Sequence, residues 1–304
     1  ERGSADALIL AYGTNDVGYA FEMVNHVMVP IITGMTTDTP TRIFEIANHL
    51  GLCFPGGSVQ MSAIGEPLDW DVLLGATEIG FGTEITDVIQ ANESAVAIFG
   101  KQKIAMLTGR DSSDFLLEEL TEEAGADEDT AQRIARTMYL DHRGLRSLDA
   151  TQAYGNFKAG SLSARFEAYL RKKRARGVAA VCSLVSRTKS QYRLYFDDET
   201  GLSVYMGNKE PEAIPFDYGF VPYCAFSGEL LDAEALFIGA EDGYVYRLDS
   251  GTSNDGTGIV ASCMTPFNHF GSTMQLKRFH KVTLELQGSP QASIHMLSQF
   301  DYGD

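Results

Sequence analysis

Five times along this chain a glycine in a turn heads a run of alternating apolar and polar residues. Glu241-Asp242-Gly243-Tyr244-Val245-Tyr246-Arg247-Leu248 is the clearest copy. Asp-Gly followed by alternation is how a strand leaves a tight hairpin. Glu199-Thr200-Gly201-Leu202-Ser203-Val204 and His142-Arg143-Gly144-Leu145-Arg146-Ser147 share the shape, as do Gly100-Lys101-Gln102-Lys103-Ile104-Ala105 and Pro55-Gly56-Gly57-Ser58-Val59-Gln60. Gly57 and Gly100 are 43 residues apart, Gly100 and Gly144 44, and Gly201 and Gly243 42. The exception, 57 residues from Gly144 to Gly201, contains a charged helical segment that accounts for the surplus. Asn15-Asp16-Val17-Gly18-Tyr19 repeats the pattern 39 residues before Gly57. A period of roughly 40–45 residues with several short strands per unit is the mark of propeller blades. The competing reading, an unrepeated β-fold with chance spacings, leaves unexplained why each glycine precedes an alternation.

The expected fold is therefore all-β, with β-propeller-like blades, roughly five or six of them, one inserted helix and a C-terminal β-extension. Residues 1–257 are expected to form the propeller domain, with the helix near 161–174. Residues 258–304 are expected to supply closing strands or a small β-sandwich, with longer strands over Ile259–Thr265, Leu276–Leu286 and Ala292–Gln299. Thr130–Arg136 reads as a short helical turn, and Leu162, Phe166, Tyr169 and Leu170 recur at helical spacing. With 44% hydrophobic residues and 30 glycines, the composition suits a packed, turn-rich β-protein. No apolar run is long enough to span a membrane. Glu1 is not an initiator methionine, so a processed product or a fragment is expected.

The chemical inventory is thin. Cys53, Cys182, Cys224 and Cys263 show no C-x-x-C spacing, which argues against zinc. The last three follow the blade period and are expected to fill equivalent buried strand positions. Trp70, the single tryptophan, is expected to clamp its loop onto a blade. Asp197-Asp198-Glu199 reads as a polar turn rather than a cation site. Nucleophile elbows, metalloprotease helices, Walker loops and dinucleotide fingerprints are missing, and the six histidines have no ligand spacing. No catalytic, cofactor or metal residues are assigned, and the chain is not expected to be an enzyme.

Net charge is −17, from 24 basic and 41 acidic residues. Such a surface repels phosphates, so a conventional nucleic-acid grip is disfavoured; it suits solubility, or a passage where DNA slides without sticking. Against this background one basic run stands out, Arg171, Lys172, Lys173, Arg174 and Arg176, at the end of a helix expected from a Ser161 cap through Arg174. Cations there complement the helix dipole. A solvated helix end, a docking element for an acidic neighbour and a local phosphate contact all remain open readings.

Gly65-Glu66-Pro67-Leu68-Asp69-Trp70, Phe99-Gly100-Lys101-Gln102-Lys103-Ile104, Leu140-Asp141-His142-Arg143-Gly144-Leu145 and the run from Ser186 to Phe196 resemble tailed-bacteriophage virion proteins. With Phe267-Asn268-His269-Phe270-Gly271 and Lys277-Arg278-Phe279-His280-Lys281 added, the chain is most similar to the propeller-bearing nozzle, or tail tubular, proteins of short-tailed phages, also called packaged-DNA stabilisation proteins. That resemblance implies a structural virion role: a homo-oligomer, expected as a hexamer, beneath the portal and adaptor and in contact with tail-fibre or tail-tip proteins. Its channel retains packaged genomic DNA until ejection, without sequence-specific binding. The implied place is the virion tail, assembled in the bacterial host cytoplasm. No cofactor and no catalytic residue are implied, and the family members are longer than this chain. Two alternatives stand beside it: another tail hub or fibre-docking propeller, and a carbohydrate-binding or carbohydrate-hydrolysing propeller.

Overall fold

The computed structural model describes residues 10–14, 20–24, 27–35, 39–92, 94–148, 161–208 and 210–265, with scattered positions beyond. Its first unit, Glu1–Asp255, is a series of small antiparallel sheets, each a meander of strands adjacent in sequence. The first sheet holds β1 (Leu10–Thr14), β2 (Ala20–Val24) and β3 (Val27–Pro30). The second holds β4 (Arg42–Ile46), β5 (His49–Cys53), β6 (Ser58–Met61) and β7 (Thr77–Gly80). The third holds β8 (Ile85–Asn92), β9 (Ala95–Gly100), β10 (Ile104–Thr108) and β11 (Leu116–Thr121). The fourth has only β12 (Gln132–Ile134), β13 (Arg136–Asp141) and β14 (Gly144–Ser147). Helix α1 (Glu167–Ala175) precedes the fifth sheet, β15 (Ala180–Ser186), β16 (Gln191–Phe196), β17 (Thr200–Tyr205) and β18 (Glu212–Asp217). The sixth holds β19 (Pro222–Leu230), β20 (Ala233–Ala240) and β21 (Val245–Leu248).

The leading strands neighbour one another in order: β1 with β4, β4 with β8, β8 with β12, β12 with β15, and β15 with β19. That is the blade arrangement of a propeller-like all-β fold. Apolar clusters lie between successive sheets. Ile46, Val59 and Met61 meet Val96, Ile98 and Leu107 between the second and third, while Leu184 and Tyr195 meet Leu236 and Ile238 between the fifth and sixth. An inner sheet is thus covered on both faces, so its middle strands lose polar alternation. β9 reads AVAIFG and β16 QYRLYF, each with five consecutive buried residues.

Every marker glycine among these five falls in the same place. Gly57, Gly100, Gly144, Gly201 and Gly243 all lie at the turn between the second and third strands of their sheets. At Gly57 and Gly100 the reason is steric as well as conformational. Gly57 (φ +85) sits where a Cβ would lie 2.5 Å from the Thr83 carbonyl oxygen, and one on Gly100 would lie 2.9 Å from that of Glu84. Thr83 and Glu84 belong to the connection from β7 to β8. In a four-stranded meander that connection and the second turn share one edge of the blade, so the chain crosses the turn closely and only glycine leaves room. Gly18 lies outside the described residues.

Among the described residues the fourth sheet has three strands, and the expected insertion meets its last one. Leu162 donates its N–H to the Leu145 carbonyl at 2.9 Å, bonding the free edge of β14. Phe166 and Leu170 then pack on Met138, Leu145 and Leu194. The helix starts later than expected: Ser161 is bridged to Arg146 in the sheet edge and does not cap, and Phe166 in the N-cap position makes no side-chain cap bond.

Other expectations are corrected. The helical turn expected over Thr130–Arg136 is instead the β12–β13 hairpin, closed by Ala135 at φ 61. Cys182 and Cys224 do hold equivalent register positions, each just after a bulge in the first strand. Only Cys182 of the three is buried, however; Cys224 and Cys263 are exposed, and all four cysteines are free. Trp70 packs on the cluster of Ala20, Ile31, Leu52 and Phe54, as a loop anchor does. The second unit, Gly256–Asp304, has no strand among its described residues beyond Gly258. Ile259–Thr265, expected as a strand, is exposed and unpaired in any ladder: alternation makes a strand only where a neighbour's backbone completes it. The strands expected over Leu276–Leu286 and Ala292–Gln299 fall partly outside the described residues, and their described positions carry no ladder.

Candidate functional site

The five-residue basic run is divided by the helical period into two groups with different duties. Lys173 is buried, with 8% of its surface exposed. Its ammonium pairs with Asp198, donates to Thr200 Oγ1 at 2.6 Å, and lies 5.4 Å from the Phe196 ring centroid and 5.6 Å from that of Tyr169. Arg174 pairs with Asp127 and donates to the Asp141 carbonyl oxygen at 2.5 Å. These two cations clasp α1 to the fourth and fifth sheets, which takes them out of any free patch. Burial pushes the Asp127 carboxyl upward despite Arg174. Burial also acts to raise Asp198, but the bonds from Lys173 and Thr200 prevail and lower it. The Asp197-Asp198-Glu199 turn therefore serves as an anchor for the helix. Of the rest, Arg171 pairs with Glu167 at 2.9 Å on the exposed face. Lys172 and Arg176 are exposed, so those two carry whatever docking or phosphate contact the run makes.

Around the clasp lies a cleft of about 540 Å³, walled by Gly125–Glu128, Asp141 and His142, Leu170 with Lys173 and Arg174, and Gly177–Ala180. Arg174 and Lys173 are paired with carboxylates, so the walls are internally neutralised and hold the helix rather than a ligand.

The leading strands carry a second polar assembly. Arg42 donates Nε to the Thr86 carbonyl at 3.1 Å and lies 3.2 Å from Asp129. Asp87, buried, accepts from the N–H of Ala131 at 2.7 Å and of Val88 at 2.8 Å. Tyr192 donates its hydroxyl to the Thr130 carbonyl at 2.6 Å. Burial pushes the Asp87 carboxyl up to about 7, with Asp129 adding and the N–H donors and Arg42 opposing. A carboxyl raised on folding holds its proton longer in the folded state. Its contribution is full near pH 4 and is lost as pH rises to about 7, on the order of 4 kcal/mol. Urea unfolding across that window should therefore show stability falling with pH. In Asp87→Asn most of that slope should be lost, leaving the smaller share of Asp127, at a cost of about 1–3 kcal/mol for the N–H left without an acceptor. An unchanged slope would assign it elsewhere.

Large apolar residues are exposed on both end sheets of the series, as they are at Val72, Leu73 and Leu74 in the loop between β6 and β7. Tyr223, Phe226, Tyr244 and Val245 on the sixth sheet are 61–72% exposed, and Val27 and Met28 on β3 are 62% and 64% exposed. On the inward side of the sixth sheet the rings run in sequence: Tyr195 stacks on Tyr218, Tyr218 on Phe220, and Phe220 on Tyr246 at 4.9 Å. Glu234 ties the sixth sheet to the fifth by accepting from Ser186 Oγ at 3.0 Å and from the N–H groups of Arg187 and Thr188 at 2.5 and 3.0 Å. Burial acts to raise this carboxyl, but the three donors outweigh it and hold it at about 2. Nothing in the sequence pattern singled out Asp87, Glu234 or the exposed sixth sheet, because each is defined by partners more than 40 residues away or by a missing neighbour.

Among the described residues no group of three His, Cys, Asp or Glu side chains is placed to hold a metal ion, and no helix is long and apolar enough to cross a membrane. No protein-family model matches the chain, and no curated protein matches it. Solved structures do resemble it in fold. A chain of a mitotic checkpoint complex aligns with TM-score 0.52 and 9% identity, over 80% of this chain and 75% of that one. The computationally designed Ika8 protein aligns with TM-score 0.48 and 12% identity over 81% and 72%. Hsv2 of Kluyvelomyces marxianus aligns at 0.45 and 8% over 79% and 76%. At such identities the likeness is one of fold alone.

Proposed function

We propose that this protein is a non-enzymatic assembly component, one subunit of a ring in the tail of a short-tailed bacteriophage, of the nozzle or tail tubular type. The observation that carries the assembly role is the outward face of the sixth sheet, where the register sets Phe226 beside Phe237 and places Cys224 and Val245 on either side of Gly239, with Phe226 and Val245 65% and 72% exposed. A cluster of large apolar side chains facing water marks a surface made to be covered. A second copy covers it in this reading, its first sheet offering Val27 and Met28. Different surfaces meeting head to tail generate a closed ring when the rotation closes. The phage assignment itself rests on the sequence resemblance. The net charge of −17 agrees with a channel wall that lets DNA pass without holding it.

Sedimentation of the purified chain with its portal and adaptor partners tests this. Wild type is expected as a ring of about six copies, and Phe226→Asp with Val245→Asp as a folded monomer. Electron micrographs of the particle should place the ring at the tail tip. A wild-type monomer in that mixture that cleaves or binds a glycan would sink the structural reading in favour of a carbohydrate-directed propeller.

A further inference from the structure

A hollow of about 730 Å³ opens between the ends of β8 and β12 and the β15–β16 turn. Its polar side chains are two guanidiniums, Arg133 and Arg187, and two carboxamides, Gln90 and Gln132, while Ile89 and Ile134 supply apolar wall. No carboxylate lines it, in a chain whose acidic residues outnumber its basic ones by 41 to 24. Four cations that the described residues bury or half-bury are matched internally: Lys173 with Asp198, Arg174 with Asp127, Arg193 with Asp249, and Arg146 with Asp141. These two are not. Arg133 donates Nη1 to the Gln90 carbonyl at 3.2 Å, which leaves most of its fork open. The Arg187 side chain has no partner among the described residues. Two like charges sharing one hollow repel unless an anion sits between them.

Both arginines are held by their backbones. Arg133 lies in the hairpin closed by Ala135. The turn bearing Arg187 is fixed from below by the Glu234 carboxylate, which takes the N–H groups of Arg187 and Thr188. Gln132 gives its Nε2 to the Ser183 carbonyl at 3.2 Å, so its amide oxygen is left to accept. A planar guanidinium fork matches phosphoryl oxygens.

We propose that this hollow binds a small phosphate ester. Its phosphoryl oxygens sit on Arg133 and Arg187, its hydroxyls meet Gln132, and its apolar body lies against Ile89 and Ile134. The site is independent of the assembly reading, since it lies on other residues than the sixth-sheet face.

Calorimetric titration of the full chain with adenosine monophosphate, inorganic phosphate and a 20-nucleotide single-stranded DNA tests it. One saturable site is expected for adenosine monophosphate, bound more tightly than inorganic phosphate. Arg133→Gln and Arg187→Gln should each weaken it tenfold or more, with melting temperature unchanged because both side chains are exposed. Arg136→Gln, an exposed arginine outside the hollow, should bind as wild type. Four results overturn the proposal: no saturable binding, equal losses in all three variants, inorganic phosphate bound as tightly as the ester, or DNA bound while adenosine monophosphate is not.

Discussion

Arg146→Met is expected to lower the free energy of unfolding by about 3–5 kcal/mol, as breaking a buried ion pair does when one charge is left behind. Arg146 and Asp141 are 4% and 1% exposed at their side chains, with Nε and Oδ2 3.0 Å apart. The other oxygen of Asp141 accepts the N–H groups of Arg143 at 2.7 Å and Gly144 at 2.9 Å, closing the β13–β14 hairpin. Methionine retains much of the packing of the arginine stem, so what is removed is mainly the charge. Adding Asp141→Asn should recover part of the loss, because the amide oxygen still closes the hairpin and no lone buried charge remains. Urea denaturation of the two single variants and the double one measures the coupling. A single-variant loss below about 1 kcal/mol would mean that water reaches the pair.

Gly125→Ala is expected to cost about 3 kcal/mol or more, a large value for one methyl group, through overpacking against backbone. Gly125 lies in the connection from β11 to β12 and crosses the turn at Gly100, with the Ala126 N–H bonded to the Gly100 carbonyl at 3.0 Å. A Cβ on Gly125 would run into that carbonyl oxygen and into the backbone of Lys101. Neither can swing aside as a side-chain tip can. Gly56→Ala is the matched control: a Cβ there meets nothing within 4 Å, and its stability should stay within about 0.5 kcal/mol of wild type. Equal melting temperatures for the two variants would show that the crossing is loose.

The recurrent glycine pattern was legible because local chemistry is enough to specify it. A turn glycine and the alternation that follows it belong to neighbouring residues, and they mark the second turn of each of five sheets. The outer strands β7 and β18 were not legible. β7 alternates between half-buried and exposed residues over only four positions, and β18 carries Pro215 on a half-exposed edge. Neither presents a continuous apolar run. The helix was found from Leu162, Phe166, Tyr169 and Leu170 at helical spacing, but its first turn was misplaced. Ser161 looks like a cap in sequence, and only the free edge of β14 shows that its segment is used otherwise.

The candidate site divides in the same way. The sequence shows five cations in six positions, Arg171–Arg176, and nothing in that string separates them. The fold does, because a helix turns by 3.6 residues and only one side of α1 faces the sheets. Lys173 and Arg174 meet Asp198 and Asp127, 25 and 47 residues away, and become structural. Lys172 and Arg176 remain at the surface. The hollow of Arg133 and Arg187 has no trace in sequence, since its walls come from three sheets.

Period, the central strands of the sheets and the place of the insertion were thus determined by the amino-acid order alone, because they follow from turns and alternation within about ten residues. Which charges are buried, which apolar face is left uncovered and where two arginines stand without a carboxylate were decided by tertiary structure. Those properties depend on which sheets become neighbours, and adjacency between blades is set by packing across 40 or more residues.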